Sequence, residues 1–373
     1  MYKNLKSYTK HAILQDMRMY PFERKSFDLT RWGFLVAAML VFIGVFASSV
    51  SSQPATPIPL LKEKVDVKQP GKKVVLPGAT WVPQSFNNCG PATVSMVLQY
   101  FGHTVSQEET RAHLRNSPDD SNVFTYEIKD YLESEYAISS KLLYNGDVET
   151  LKTLLANGVY IVIEDYLHPD DKIGHFTILK GYDDEKGVFI SDDSYIGTDT
   201  EYPYEAFDQK QWKPFNREYL PVYTKDKEKV VKAIVGDDWE EKTMYAGAVA
   251  TAQKEIKNDE NDMYAWFNLG TSYFGLGEYD KAKQAFEKSQ SLGWPKLMLW
   301  YQIQPVQTYN KLGEYDKALE LAGQGLGSND SFAELHLERA TSYKGLGEAE
   351  KARAEAEKAL FFDPELQKAK DFL

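Results

Sequence analysis

The one cysteine of the chain, Cys89, precedes a segment whose apolar residues recur at helical spacing. The sequence there is NNCGPATVSMVLQYFG, which places Val94, Val97 and Leu98 on one helix face. Pro91 suits the first turn of a helix, where no N–H partner is needed. Unpaired N–H groups and the helix dipole stabilise negative charge, so we predict that Cys89 has a lowered pKa and acts as a nucleophile.

A lone cysteine more often serves as a small buried apolar residue, and this is the alternative for Cys89. Its neighbours Asn88 and Gly90 do not form the apolar run that a buried cysteine usually occupies. A histidine and a carboxylate that could activate a thiol also follow in the chain. These two features favour the catalytic interpretation.

The histidine is His175, which opens the strand-like run HFTILK before Gly181. A turn leads into a second run, VFIS, which Asp192 closes. On neighbouring strands of a hairpin, the imidazole can act as a base and the carboxylate can orient it. Successive strand residues point to opposite faces, so only one of Asp192 and Asp193 can meet His175.

Three segments together resemble the bacteriocin-processing cysteine peptidases, most closely their stand-alone, non-transporter relatives, over roughly residues 74–222. They are QSFNNCGPA from Gln84, HF followed by GYD, and ISD ending at Asp192. The resemblance implies a papain-like α+β fold, in which a helix carrying cysteine packs on an antiparallel sheet carrying histidine and aspartate. It further implies that Cys89 is the nucleophile and His175 the general base and acid. By the same resemblance, Asp192 orients His175, and Gln84 donates a hydrogen bond to the oxyanion.

Near the N-terminus, Trp32–Val50 is a 19-residue apolar run. At about 1.5 Å per residue it nearly spans a hydrocarbon core of roughly 30 Å, and it has no polar face before Ser48. Residues 1–31 carry seven Lys/Arg against three Asp/Glu, which predicts a cytoplasmic N-terminus and an extracytoplasmic body. We expect an uncleaved single-pass signal anchor; a cleaved signal peptide is the alternative.

The C-terminal third contains an internal repeat. LGEYDKA at 276–282 recurs at 312–318, and LGEAEKA follows at 346–352, so the offsets are 36 and 34 residues. This period resembles that of tetratricopeptide repeats, which stack helix pairs into an all-α solenoid that binds peptides or partner proteins. Gly277 is expected to form the tight turn between two helices, and Pro305 to kink the first helix of the second repeat.

Composition excludes several classes of function. The net charge is -12 although residues 1–31 are basic, so the rest of the chain is strongly acidic and nucleic acid is not an expected partner. The sequence contains neither a Gly-rich phosphate loop nor paired cysteines at zinc-site spacing. We therefore predict no cofactor and no metal.

The predicted function is that of a membrane-anchored cysteine peptidase. It would hydrolyse a peptide or protein substrate while the repeats recruit that substrate or a protein partner. Two alternatives stay open: a non-catalytic extracytoplasmic scaffold, and a thiol amidase acting on cell-wall peptides. The predicted parts are a basic segment (1–31), an anchor (32–50), a linker (51–73), a peptidase domain (74–222) and a repeat domain (241–373).

Overall fold

The computed structural model describes residues 65–115, 117 and 122–373. Residues 64–373 form one compact unit. The predicted anchor Trp32–Val50, the basic segment before it and most of the predicted linker lie outside the described residues. Within the described ranges, no helix is both long enough and apolar enough to cross a membrane.

An antiparallel sheet of seven strands forms the centre of the N-terminal half, as far as the described residues go. The strands are β1 (Lys73–Val75), β2 (Ser139–Ser140), β3 (Tyr160–Tyr166), β4 (Gly174–Asp183), β5 (Val188–Asp193), β6 (Gly197–Pro203) and β7 (Tyr219–Tyr223). Their order in the sheet is β2-β7-β3-β4-β5-β6, and β1 pairs with the end of β4. Helical turns at Tyr204–Ala206, Phe207–Trp212 and Lys213–Phe215 join β6 to β7.

Helices cover both faces of this sheet. Val162 and Ile178 point to one face, where they pack against the first three helices; Ile161 and Leu179 point to the other face. This alternation of apolar side chains is what a strand buried on both sides requires. The predicted α+β arrangement is confirmed. The helices are α1 (Cys89–Tyr100), α2 (Gln107–Leu114) and α3 (Thr125–Tyr136) on the first face, with α4 (Val148–Ala156) and α5 (Glu228–Val235) on the second.

One irregularity sets the register between β4 and β5. Thr177 lies opposite Asp193, and Ile178 lies opposite Asp192. The pairing then shifts between Leu179 and Gly181, so Lys180 is an extra residue in β4. Such a bulge changes which side chains of one strand share a face with those of the next.

The C-terminal part is a stack of helix pairs, which confirms the predicted helical repeat region. Gly277, Gly313 and Gly347 have φ angles of 74°, 75° and 76°. This is the left-handed conformation that a glycine tolerates best, and it makes the tight turns between paired helices. The helices are α6 (Glu241–Asn258), α7 (Met263–Gly275), α8 (Tyr279–Ser291), α9 (Gln304–Leu312), α10 (Tyr315–Leu326), α11 (Ala333–Gly345), α12 (Ala349–Phe362) and α13 (Gln367–Phe372).

The expected kink at Pro305 is wrong. Pro305 lies in the first turn of α9, where its missing N–H leaves no intrahelical hydrogen bond unmade. The preceding segment Lys296–Trp300 is a separate 3₁₀ helix. The proline therefore begins a shortened helix rather than bending a full-length one.

The repeats share a hydrophobic core with the sheet domain. Tyr166 from β3 and Phe215 from the β6–β7 connection are buried in the same cluster as residues of α7 to α11. Lys213 forms ion pairs with Glu255 at 3.2 Å and with Asp262 at 2.5 Å. These contacts join residues on both sides of the predicted domain boundary into one folded body.

Two helical glycines of the repeats offer a matched test of this packing. A Cβ atom on Gly270 would lie 2.5 Å from Cε1 of Phe286, whereas a Cβ on Gly323 would meet nothing within 4 Å. We expect Gly270→Ala to lower the free energy of unfolding by about 1–3 kcal/mol through overpacking. Gly323→Ala should raise it by up to about 1 kcal/mol, because alanine is the better helix former. Urea unfolding of both variants measures this, and equal effects would contradict the helix pairing.

Candidate active site

Cys89 is the first residue of α1, and the residue as a whole is half-buried. Burial of the thiol raises its pKa, but a hydrogen bond with His175 and the charge of that imidazolium outweigh this effect. The backbone N–H groups of Phe176 and Gly90 also stabilise the thiolate. The net result is a pKa below the ordinary thiol value, as expected for a cysteine at a helix N-terminus beside a histidine.

His175 lies at the start of β4 and is 3% exposed. Its Nε2 atom is 2.9 Å from Oδ2 of Asp193, which leaves Nδ1 for Cys89. Burial lowers the pKa of His175, but the hydrogen bonds with Asp193 and Cys89 and the charges of both raise it to about 10. The cysteine and histidine therefore favour the thiolate–imidazolium ion pair.

Asp193 is fully buried and holds His175 through a dense set of hydrogen bonds. Its Oδ1 atom accepts the N–H groups of Tyr195 at 2.7 Å and Ile196 at 2.8 Å. Its Oδ2 atom also accepts the Tyr202 hydroxyl at 2.7 Å. Burial raises the pKa of Asp193, but the interactions with His175, Tyr202 and Ile196 lower it below the usual value, so the group is a carboxylate at neutral pH.

The prediction that Asp192 meets His175 is wrong. Asp193 pairs with Thr177 across the two strands, and Thr177 and His175 are two residues apart, so all three side chains share one face. Asp192 pairs with Ile178 and therefore points to the opposite face. The strand register, which the sequence motif did not determine, selects Asp193.

Asp192 instead links four parts of the domain. Its Oδ1 atom accepts Nζ of Lys180 at 2.6 Å, and its Oδ2 atom accepts the Tyr100 hydroxyl at 2.7 Å and the Ala79 N–H at 2.9 Å. The Asp192 and Lys180 side chains are 0% and 4% exposed. This carboxylate holds the bulge of β4, the end of α1 and the loop after β1 together.

Gln84 is oriented by a residue next to the triad carboxylate. The Ser194 hydroxyl donates to Oε1 of Gln84 at 2.9 Å, and the Gln84 N–H donates to the Ser194 carbonyl at 2.9 Å. Since the amide oxygen is the acceptor here, the amide NH₂ group is left to donate elsewhere. Ser194 was not among the predicted residues. The feature of the sequence that could have pointed to it was its position directly after Asp192 and Asp193.

Asp165 is another residue that sequence reasoning missed. It lies opposite His175 on β3 and is fully buried, and neither carboxyl oxygen has a hydrogen-bond partner in the described part of the chain. Burial raises the pKa of Asp165 well above its usual range. In the same described ranges, no group of three or more His, Cys, Asp or Glu side chains could hold a metal ion.

Large apolar side chains lie exposed in the loops that flank these residues. Phe86, three residues before Cys89, is 98% exposed, and Tyr195, two residues after Asp193, is 59% exposed. Ile173 and Ile196 occupy similar positions and are also exposed. Exposed apolar side chains in such a group are typical of a surface that binds another molecule.

Comparison with known families identifies two segments of the chain. Residues 75–220 match the peptidase C39 like family, and residues 264–292 match the tetratricopeptide repeat. The chain carries a C39-like peptidase domain followed by a tetratricopeptide repeat. The predicted family resemblance and the predicted repeat are both confirmed. No curated protein matches the chain.

Three solved structures illustrate how distant the structural similarities are. A C39-like peptidase from Bacillus anthracis is 16% identical with a TM-score of 0.36, covering 42% of this chain and 99% of its own. The structure of MamA is 20% identical with a TM-score of 0.32, covering 35% of this chain and 75% of its own. A MamA fragment from Desulfovibrio magneticus is 20% identical with a TM-score of 0.31, covering 34% and 70%.

The ion pair predicts how Cys89 reacts with iodoacetamide as pH changes. The thiolate is the reactive form, so a lowered pKa keeps the rate high below the ordinary thiol pKa of about 8.5 and lets it fall only at more acidic pH. His175→Ala removes the stabilising partner, and Asp193→Asn removes the charge that keeps His175 protonated. Both substitutions should reduce the alkylation rate at pH 6.5 by at least about tenfold, since one pKa unit is tenfold in thiolate.

Asp192→Asn is the matched control for Asp193→Asn. It should leave the pH profile of alkylation unchanged and lower the free energy of unfolding by about 3 kcal/mol, because Lys180 loses a buried partner. Mass spectrometry of Cys89 and urea unfolding give the two readouts. If Asp192→Asn shifted the alkylation profile and Asp193→Asn did not, the assignment of the carboxylates would be reversed.

Proposed function

We propose that the C39-like domain is an active thiol hydrolase that cleaves a peptide bond through an acyl-enzyme on Cys89. The supporting observation is the position of His175, which hydrogen-bonds to Cys89 on one side and to Asp193 on the other. A helix with cysteine at its N-terminus, packed on an antiparallel sheet with histidine and aspartate, is the papain-like arrangement. In it the three side chains act as nucleophile, acid–base and orienting carboxylate.

In the first half of the reaction the Cys89 thiolate attacks the carbonyl carbon of the substrate. The carbonyl π electrons move to oxygen, which becomes an oxyanion in a tetrahedral intermediate. Collapse of this intermediate breaks the C–N bond, and the His175 imidazolium gives its proton to the leaving amine. Asp193 keeps the ring oriented toward Cys89 throughout and stabilises the imidazolium before that proton is given away.

In the second half neutral His175 takes a proton from water, and the hydroxide formed attacks the thioester. The C–S bond breaks, the carboxylic acid product leaves, and the thiolate and imidazolium are restored. In both halves the oxyanion needs donors, for which we propose the Gln84 amide NH₂ and the Cys89 N–H. The hydrogen bond from Ser194 to Oε1 of Gln84 supports this role, because it leaves the NH₂ group as the donor.

A peptide substrate agrees with the surface around the site. The exposed side chains of Phe86, Ile173 and Tyr195 offer apolar contacts to residues on either side of a scissile bond. The tetratricopeptide repeats indicate protein–protein interaction, and we propose that they help to hold the substrate or a protein partner. We also propose that Trp32–Val50 anchors the protein in a membrane and that the rest of the chain after it lies outside the cytoplasm.

Hydrolysis is tested on the full-length protein by profiling the peptides it releases from a mixture of proteins. Cys89→Ala should abolish release. Gln84→Ala should lower kcat by roughly 10²–10³ with little change in KM, since the lost donor acts mainly on transition-state charge. Gln209→Ala, which removes an exposed glutamine far from Cys89 in the chain, should keep full activity.

Three results would change this assignment. Equal peptide release by wild type and Cys89→Ala would leave a binding scaffold as the better reading of the domain. Release from purified cell wall but not from proteins would indicate the amidase alternative. A fully active Gln84→Ala protein would remove that glutamine from the oxyanion site.

The proposed topology is tested in intact cells with an added protease. The basic residues before Trp32 should hold the N-terminus inside, so the protease should digest the C39-like domain and the repeats. Permeabilised cells are the control, because a protein that resists the protease by itself would stay undigested there as well. Protection in intact cells with digestion after permeabilisation would place Cys89 in the cytoplasm.

A further inference from the structure

A cavity of about 550 Å³ lies between the C39-like domain and the repeats. One wall consists of α3 and the adjoining strands, and the other of the segment around Tyr301–Gln304 and the helices that follow it. Among the described residues, eight carboxyl groups line it, against one lysine and one histidine. This lining favours a cation over an anion.

The deepest of these carboxyl groups belong to Glu164 and Glu218. Ile163 pairs with Tyr219 in the antiparallel ladder, so Glu164 and Glu218 occupy the next pair of positions on the two neighbouring chain segments. Glu164 is 6% exposed and Glu218 is 8% exposed. Burial and the charge of Glu218 raise the pKa of Glu164 well above its usual range, and burial raises that of Glu218 to about 7.

Neither carboxylate has a cationic partner among the described residues. Oε1 of Glu218 has no hydrogen-bond partner in the described ranges, although the Thr125 and Tyr144 hydroxyls favour its charged form. Burial of two carboxyl groups facing one space disfavours their charged forms, and a bound cation would stabilise those charged forms.

Two contacts connect residues that line the cavity with the reactive pair. Glu164 pairs with Phe176 across β3 and β4, and the Phe176 N–H is one of the groups that stabilise the Cys89 thiolate. Tyr301 lines the cavity and accepts the backbone N–H of Gly174, the residue before His175. The Cys89 charge acts on both Glu164 and Tyr301.

We propose that this cavity binds the lysine or arginine side chain of a peptide substrate, close to the bond that Cys89 attacks. The effect of this cavity on peptide cleavage rests on the proposed hydrolase function. The binding of the basic side chain does not depend on it. An ammonium or guanidinium group entering the cavity meets Glu164 and Glu218 at its base. The carbon stem of the same side chain would pack against Phe215 and Tyr301 on the way in.

Both halves of the chain contribute to the cavity. Tyr301 and Gln304 come from the repeats, whereas Glu164 and Glu218 come from the sheet. Oε1 of Gln304 is buried and has no hydrogen-bond partner in the described part of the chain, so it is a further acceptor for the incoming cation. Neither half alone would enclose the charge.

The binding test uses full-length Cys89→Ala protein, so that no turnover occurs. Calorimetry compares the peptide Ala-Ala-Lys-Ala-Ala with the same peptide carrying norleucine in place of lysine, which keeps the apolar stem and removes the charge. We expect the lysine peptide to bind at least about tenfold more tightly. Glu218→Gln and Glu164→Gln should each abolish this preference, whereas Glu205→Gln, at an exposed acid outside the cavity, should retain it.

A second measurement separates this inference from the hydrolase proposal. Wild-type protein is treated with lysine and norleucine forms of a peptidyl chloromethyl ketone, and alkylation of Cys89 is followed by mass spectrometry. A lysine preference that disappears in Glu218→Gln supports the cavity even if no protein is hydrolysed. Hydrolysis without any lysine preference, or a preference that persists in both glutamine variants, overturns the inference and leaves the hydrolase proposal in place.

Discussion

The register between β4 and β5 is the constraint on which the arrangement of the site depends. Because side chains alternate along a strand, a shift of one residue would exchange Asp192 and Asp193. The register shifts at the bulge around Lys180, whose side chain pairs with Asp192 at 2.6 Å. On the far side of the bulge Asp193 shares a face with His175, and Asp192 points to the opposite face.

The energetic roles of the two aspartates are correspondingly different. Asp192 forms an ion pair with Lys180 and accepts hydrogen bonds from the Tyr100 hydroxyl and the Ala79 N–H. Its charge therefore interacts with these groups of the fold and not with His175. The Asp193 carboxylate accepts two backbone N–H groups and a hydroxyl, and it also hydrogen-bonds to His175. The first arrangement fixes geometry, and the second sustains a charge on the imidazole that in turn stabilises the Cys89 thiolate.

Sequence reasoning succeeded where the signal was local. The apolar period after Cys89 indicated α1, and the recurrence of Gly277 indicated the tight turns of the repeats. It failed at Asp192 because the choice between adjacent aspartates depends on a bulge at Lys180, which no pattern in the chain specifies. It also misplaced Pro305, since a proline at a helix start and one in a helix interior look alike until the preceding segment is known.

The acidic cavity was beyond prediction for a different reason. Glu164 and Glu218 are 54 positions apart and become neighbours only through the pairing of β3 with β7. Tyr301 and Gln304 reach the same space because Tyr166 and Phe215 bury themselves in the core of the repeats. That shared core makes the repeats a wall of the cavity as well as a separate stack of helices. In that wall, Tyr301 also contacts Gly174, so a residue of the repeats packs against the backbone directly before His175.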